Sequence, residues 1–454
     1  MNEEISDSRL HTFLRKWINE NAPEYRLSLA SIYFCGISPL NMPGIKQGVY
    51  VLASEKESKT FGTTSCRSSW SCPKCTARKM TMYGERIACA IDSFAHQNQS
   101  AMMFTMTIPH LPFMSCAETY EVLMKAYRHF QKDTGNGKKK KTFKKADGTI
   151  SEYNVSRNPF NKFRTELNIV HSVRVYEMTH GENSWHPHIH GLLWTSNDNW
   201  DKIAPLEESV FEYWWKCCKD EAIKFWTKKR PEQPEENQKL IEDLFSDWRK
   251  YPKTGHRSFY LSKNEDGSIR KAKSSYYITG WSSNLEMTGL SRKEGRNGHK
   301  TPYQIIHNAY FEKDKEKQNE LVKLYLEYAS ATKGHCRVYF SKGLNQIINN
   351  WKKTEIYHKQ QKKKSMEKGE VPKLRLVDWF SKEQWSFLSY LDATSNNDEA
   401  IIDNILETAR APDIEQAREM IALYCLSKGV DIYDNPLPSL NQTMIIENFI
   451  NRTA

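Results

Sequence analysis

The sequence predicts an α+β protein with a small cysteine-rich module near its amino end and a helical region at its carboxyl end. Three observations predict it. Segments that alternate like strands (Ser100–His110, Val173–Met178 and His188–Trp194) are interspersed with segments of helical spacing. Four cysteines, Cys35, Cys66, Cys72 and Cys75, lie ahead of those segments in a stretch rich in turn residues. From Ser395 onward ten acidic residues face four basic ones, so the rest of the chain carries about +17 although the net charge is only +11. A chain of 454 residues exceeds one ordinary core, and two or three domains are expected.

The elements follow in order. The first 75 or so residues read as short strands and turns. A helix is expected from about Thr76 to His96, with Met80, Tyr83, Ile87, Ile91 and Phe94 near helical spacing, and a strand over Ser100–His110. Ser115 and Glu118 form a capping-box pattern that opens a helix to about Gln131. The lysine run Lys138, Lys139, Lys140 and Lys141, closed by Asp147-Gly148, reads as a solvated hairpin tip or loop that could also touch phosphate. Two strands surround the turn Gly181–Ser184, and a long aromatic helix runs from about Pro205 to Lys229. Ser274 to Leu285 reads as the start of another helix. The expected divisions are 1–98 for the cysteine module and its helix, 99–350 for the main domain, 351–369 for a charged linker and 370–454 for a separate helical region.

Composition narrows the function classes. Charged residues make up 27%, and the amino end is acidic with no apolar run after a basic region, so no signal peptide is expected. No stretch approaches the roughly 18 uncharged residues of a membrane span, so a cytoplasmic protein without a membrane partner is expected. No GxxxxGK[ST] loop is present, which argues against a built-in ATP-driven helicase. A basic, aromatic-rich body suits a polyanion with stackable bases, with plain solubility charge as the alternative.

Cys66-x5-Cys72-Pro-Lys-Cys75 supplies three thiolates at knuckle-like spacing, and Cys35-Gly36 is a plausible fourth. Four thiolates around Zn²⁺ stabilise a loop-rich module that has little core of its own; the alternative is a group of reactive or merely buried thiols. The other six cysteines (Cys89, Cys116, Cys217, Cys218, Cys336 and Cys425) read as small core residues.

The segment Glu177-Met-Thr-His180-Gly-Glu-Asn-Ser-Trp-His186-Pro-His188-Ile-His190 carries the strongest signal. His188 and His190 share one face of a strand, and reflection through the turn places Glu177 opposite His188. Two imidazoles and a carboxylate hold a divalent cation with positions left open for substrate oxygens, whereas a structural histidine cluster would need no cation. His180 is a candidate further ligand or supporting partner. Some ninety residues on, Tyr276 and Tyr277 stand side by side. A phenol with a free pKa near ~10 is a poor nucleophile unless a nearby metal polarises the phosphate it attacks. By itself such a pair is more often core packing.

Together these motifs resemble the HUH endonucleases, and the plasmid rolling-circle replication initiators more than the conjugative relaxases. The matching pieces run from about Cys35 to Leu344: the cysteine region, Phe104-Thr-Met-Thr107, Glu177 through His190, Tyr277-Ile-Thr-Gly-Trp, Thr301-Pro-Tyr-Gln-Ile-Ile and Tyr339-Phe-Ser-Lys-Gly-Leu. The resemblance implies a central antiparallel sheet flanked by helices. It implies Mg²⁺ or Mn²⁺ on Glu177, His188 and His190, and Tyr277 as the nucleophile that keeps a 5′-phosphotyrosine. The implied partners are origin DNA, duplex and extruded single strand, with a host helicase and polymerase. Relatives often have Tyr-x-x-Lys, but Gly280 stands at that fourth position here. Either Lys273 or another cation replaces the lysine, or Tyr276 is the nucleophile. Lys273 also stands where some relatives place a glutamate, and Glu286 is a candidate substitute. Rival readings are an HUH transposase, a histidine-triad nucleotide hydrolase and a non-catalytic zinc-module DNA binder.

Overall fold

The computed structural model describes residues 5–40, 47–109, 114–132, 139–144, 150–155, 158–182, 184–195, 203–229, 231–232, 234–249, 259–264, 268–272, 298–368, 373–394, 400–433, 435, 437–438, 443–444 and 446–447. Their strands are β1 (Val49–Ala53), β2 (Ser58–Phe61), β3 (Ser100–Thr107), β4 (Lys139–Lys144), β5 (Ile150–Val155), β6 (Ile169–Gly181), β7 (Ser184–Thr195), β8 (Phe259–Leu261), β9 (Val338–Phe340) and β10 (Arg375–Phe380). The chain is mixed α+β, and its sheets are antiparallel. It divides into two units, each built from non-contiguous segments.

One unit takes residues 1–79, 306–323 and 355–454. Its sheet has the order β10-β1-β2, with β1 in the middle. All five residues of β1 are buried. Val49, Val51 and Ala53 pack with Val377, Phe380, Trp385, Ile405 and Ile421, while Tyr50 and Leu52 pack with Leu374, Trp379 and Ile446 on the other face. Burial on both faces is why Val-Tyr-Val-Leu-Ala is continuously apolar rather than alternating.

Several expectations are corrected here. The amino end is not only strands and turns: a helix spans Asp7–Asn21, capped by the Ser6 hydroxyl, which accepts from the Arg9 N–H, and it buries Leu10, Leu14, Trp17 and Ile18. Nor is the carboxyl region purely helical or separate, because β10 pairs with β1. Arg15, buried on the amino-terminal helix, lies 3.6 Å from the buried Asp392 carboxylate and donates to the Ser389 carbonyl at 2.9 Å. Such long-range pairing leaves no local trace in sequence. The stretch expected to be a charged linker is instead the helix Glu355–Lys368, preceded by the helix Leu344–Lys352. The units therefore do not divide at 98/99, 350/351 or 369/370.

The second unit takes residues 80–305 and 324–354. Its five-stranded antiparallel sheet has the order β8-β3-β7-β6-β9, so the β6–β7 hairpin and β3 occupy the middle. The helix Cys116–Gln131 opens with the expected capping box at Ser115 and Glu118. It packs on one sheet face, where Tyr120 and Tyr127 meet Tyr176 edge-on. On the opposite face Phe94 stacks at a tilt on Trp194, 5.4 Å between ring centroids. Gly191 faces the Tyr176 side instead, where a Cβ would meet the ring of its cross-strand partner Phe104 at 2.1 Å.

The lysine run forms part of a two-stranded ribbon, with Lys139, Lys140 and Lys141 paired to Val155, Asn154 and Tyr153 along β5. Lys138, Lys273, Tyr276, Tyr277, Glu286 and the helix expected over 274–285 lie outside the described residues. Of the six cysteines expected in the core, five are buried and Cys336 is exposed. No helix among the described residues is long and apolar enough to cross a membrane.

Candidate metal centres

The hairpin register sets the first site. Glu177 pairs with His188, Thr179 with His186 and Val175 with His190. Directly paired residues of an antiparallel ladder share a face, so Glu177, His186, His188 and His190 all rise from the same side of the sheet. The cross-strand partnership inferred from the turn is the one observed.

Within this group Glu177 Oε2 lies 2.8 Å from His190 Nε2, and both residues are buried, at 5% and 7% exposure. The other ring nitrogen, Nδ1, is 2.9 Å from the Thr105 hydroxyl on β3, so the imidazole is held from both ends. His188 and His190 lie nearly parallel, 5.9 Å apart and 13° between planes. His186 packs against His188 at 4.1 Å and is held by the Thr107 hydroxyl, 2.6 Å from its Nε2.

Thr105 and Thr107 were absent from the sequence-based candidates. The signal was available: Phe-Thr-Met-Thr alternates, and its two hydroxyls fall on one strand face. Ligand orientation by a second residue of this kind is common in metal sites.

His180 does not join the group. It is displaced by an odd number of residues from Glu177, so it sits on the opposite face, paired with Trp185 and edge-on to that indole at 5.0 Å. Burial lowers its pKa. Strand parity alone thus puts His180, a candidate further ligand or supporting partner, on the face opposite Glu177.

The four cysteines form the second site. Cys35, Cys66, Cys72 and Cys75 bring their sulfurs within 4.8 Å of one another, and among the described residues this is the group of three or more His, Cys, Asp or Glu side chains that does so. Backbone bonds assemble it. Gly36 N–H donates to the Thr64 carbonyl at 2.7 Å and Thr64 N–H to the Ser38 carbonyl at 2.8 Å, which carries Cys35 to Cys66. The helix Pro73–Ala95 starts directly after Cys72 and puts Cys75 in its first turn.

Cys35 Sγ and Cys75 Sγ are 3.4 Å apart. Hydrogen bonding with Cys35, Cys66 and Cys72 holds the Cys75 thiol far below its ordinary pKa, and bonds with Cys66 and Cys72 lower Cys35. Cys66 and Cys72 are pushed up, first by their bonds to Cys35. Four crowded sulfurs thus share protons that a soft cation would replace. A tetrahedral Zn²⁺ with bonds of about 2.3 Å puts its sulfurs about 3.8 Å apart, which suits this spacing. The cluster could hold a structural metal such as zinc.

No protein-family model, curated protein or solved structure matches the chain. The functional reading therefore rests on the chemistry of its own residues.

Proposed function

We propose that this chain is a metal-dependent HUH-type nicking enzyme that initiates rolling-circle replication of a plasmid or similar element. The observation that supports it most is the pairing of Glu177 with His188, with His190 on the same face and 2.8 Å from that carboxylate, in the central hairpin of an antiparallel sheet. One carboxylate and two imidazoles fit Mg²⁺ or Mn²⁺, and a cation bound there would polarise a phosphate oxygen.

The chain's own residues do the rest. Thr105 orients His190 through Nδ1, which leaves Nε2 facing Glu177. The Tyr277 oxygen attacks the scissile phosphorus, forming a P–O bond as the bond to the 3′ oxygen breaks. The phenolic proton leaves, and the 3′ oxygen departs as a free hydroxyl on which a host polymerase can extend while a host helicase opens the duplex. The 5′-phosphotyrosine conserves the bond energy, so a second attack can rejoin the strand. The basic body, including the lysine run at 138–141, supplies phosphate contacts that position the DNA.

The test uses supercoiled plasmid bearing the chain's own origin, incubated with Mg²⁺. Open-circular product with protein on its 5′ end is expected. Cleavage at full rate by protein held in EDTA would remove the metal role.

The cysteine cluster is proposed to hold one structural Zn²⁺. Elemental analysis of protein purified without chelator should find about one zinc per chain. Cys72→Ser should lower both zinc content and melting temperature, because metal binding contributes directly to folding. Zinc-free, fully folded protein would dismiss this assignment and leave the nuclease reading intact.

A further inference from the structure

The histidine face contains a residue that no motif indicates. His180 N–H donates to the Lys300 carbonyl at 2.9 Å, and Lys300 N–H donates to the His180 carbonyl at 2.7 Å. This two-bond bridge pins the segment 298–301 beside the tip of the β6–β7 hairpin. Successive residues of an extended segment alternate faces. Lys300 therefore shares the side of His180, and His299 is turned to the side of Glu177, His186, His188 and His190.

The side chains agree. The His299 ring lies 5.6 Å from that of His186. It rests against Gly181, where an added Cβ would meet its Cε1 at 2.8 Å. Glycine at 181 is what admits the ring. Four imidazoles then form a row, His190, His188, His186 and His299, running from the buried end of the site to the hairpin tip.

At the outer end of this row the rings of His186 and His299 stand 5.6 Å apart. N–H donors so spaced suit a phosphodiester, whose two free oxygens accept hydrogen bonds of about 2.8 Å from separate directions. His299, against Gly181 at the hairpin tip, is the outermost ring of the row.

We propose that His299 is part of the substrate surface and contacts a backbone phosphate of single-stranded DNA lying across the histidine face, next to the scissile position. This rests on the nicking reading, since it extends the same site.

The experiment measures binding of fluorescein-labelled dT20 by anisotropy, with the full chain in EDTA so that neither metal nor cleavage contributes. His299→Ala should weaken binding about threefold to tenfold, the worth of one hydrogen bond. His299→Gln, which keeps a neutral N–H donor, should restore most of it. Gly181→Ala, which displaces the ring without removing it, should mimic His299→Ala. Melting temperatures should match the wild type throughout.

Equal affinity of His299→Ala and wild type would overturn the proposal, as would absence of dT20 binding by the wild type. Equal losses in the alanine and glutamine variants, with a matching fall in melting temperature, would also overturn it by assigning the ring to packing. Failure of the parent reading looks different: the wild type would bind dT20 yet leave origin plasmid uncut in Mg²⁺.

Discussion

Replacing His188 and His190 together with alanine is expected to reduce nicking of origin plasmid by about a thousandfold or more, while duplex binding persists. The magnitude follows from the several kcal/mol that a bound cation contributes to charge stabilisation, at about 1.4 kcal/mol per tenfold. Binding persists because positioning on duplex DNA depends mainly on phosphate contacts made elsewhere. The double change also removes the imidazole that faces Glu177 at 2.8 Å and leaves that buried carboxylate without it. A stability loss of about 1–3 kcal/mol is therefore expected as well. Thermal melting and a mobility-shift measurement separate the two effects. A folded variant that binds duplex and still nicks at the wild-type rate would refute the metal role.

Tyr277→Phe should abolish the covalent protein–DNA adduct while folding and DNA binding remain, because only a hydroxyl is lost. On the helix expected over 274–285 neighbours would point about 100° apart, so only one of the two tyrosines would face a given metal. The resemblance of Tyr277-x-x-x-Trp281 to the HUH initiators implies Tyr277, so Tyr276→Phe should keep much of the activity. The measurement that decides is mass spectrometry of the peptide left on the 5′ end after cleavage. An adduct on Tyr276 would move the register by one residue. A cleaved strand carrying no protein would refute the tyrosine mechanism.

Much of the histidine site was legible in the sequence because it is local. Glu177, His188 and His190 belong to one hairpin, and a tight turn with period-two alternation dictates both the pairing and the shared face. The same parity places His180 on the opposite face, although its residue type suits a ligand. The capping box at Ser115 and the helix beginning beside Cys75 were readable for the same reason, since caps and helix starts are set by neighbours in sequence.

Other features depend on segments far apart in the chain. His299 reaches the site through a two-bond bridge to His180, across more than a hundred intervening residues, and no pattern around Gly298-His-Lys marks it. Cys35 was the least marked of the four cysteines, yet backbone bonds between residues 36–38 and Thr64 bring it to the others.

By itself, the sequence determined the mixed α+β class, the hairpin register, the face carrying two imidazoles and a carboxylate, and the three-cysteine knuckle. These follow from steric and hydrogen-bonding rules that act over a few residues. Only the tertiary structure decided that β10 pairs with β1, that the expected linker is a helix, and which distant side chains, Thr105, Thr107 and His299, surround the histidines. Those choices are made by burial of apolar faces and by pairing of backbone groups between remote segments, and such energies depend on the assembled core and not on any local run of residues.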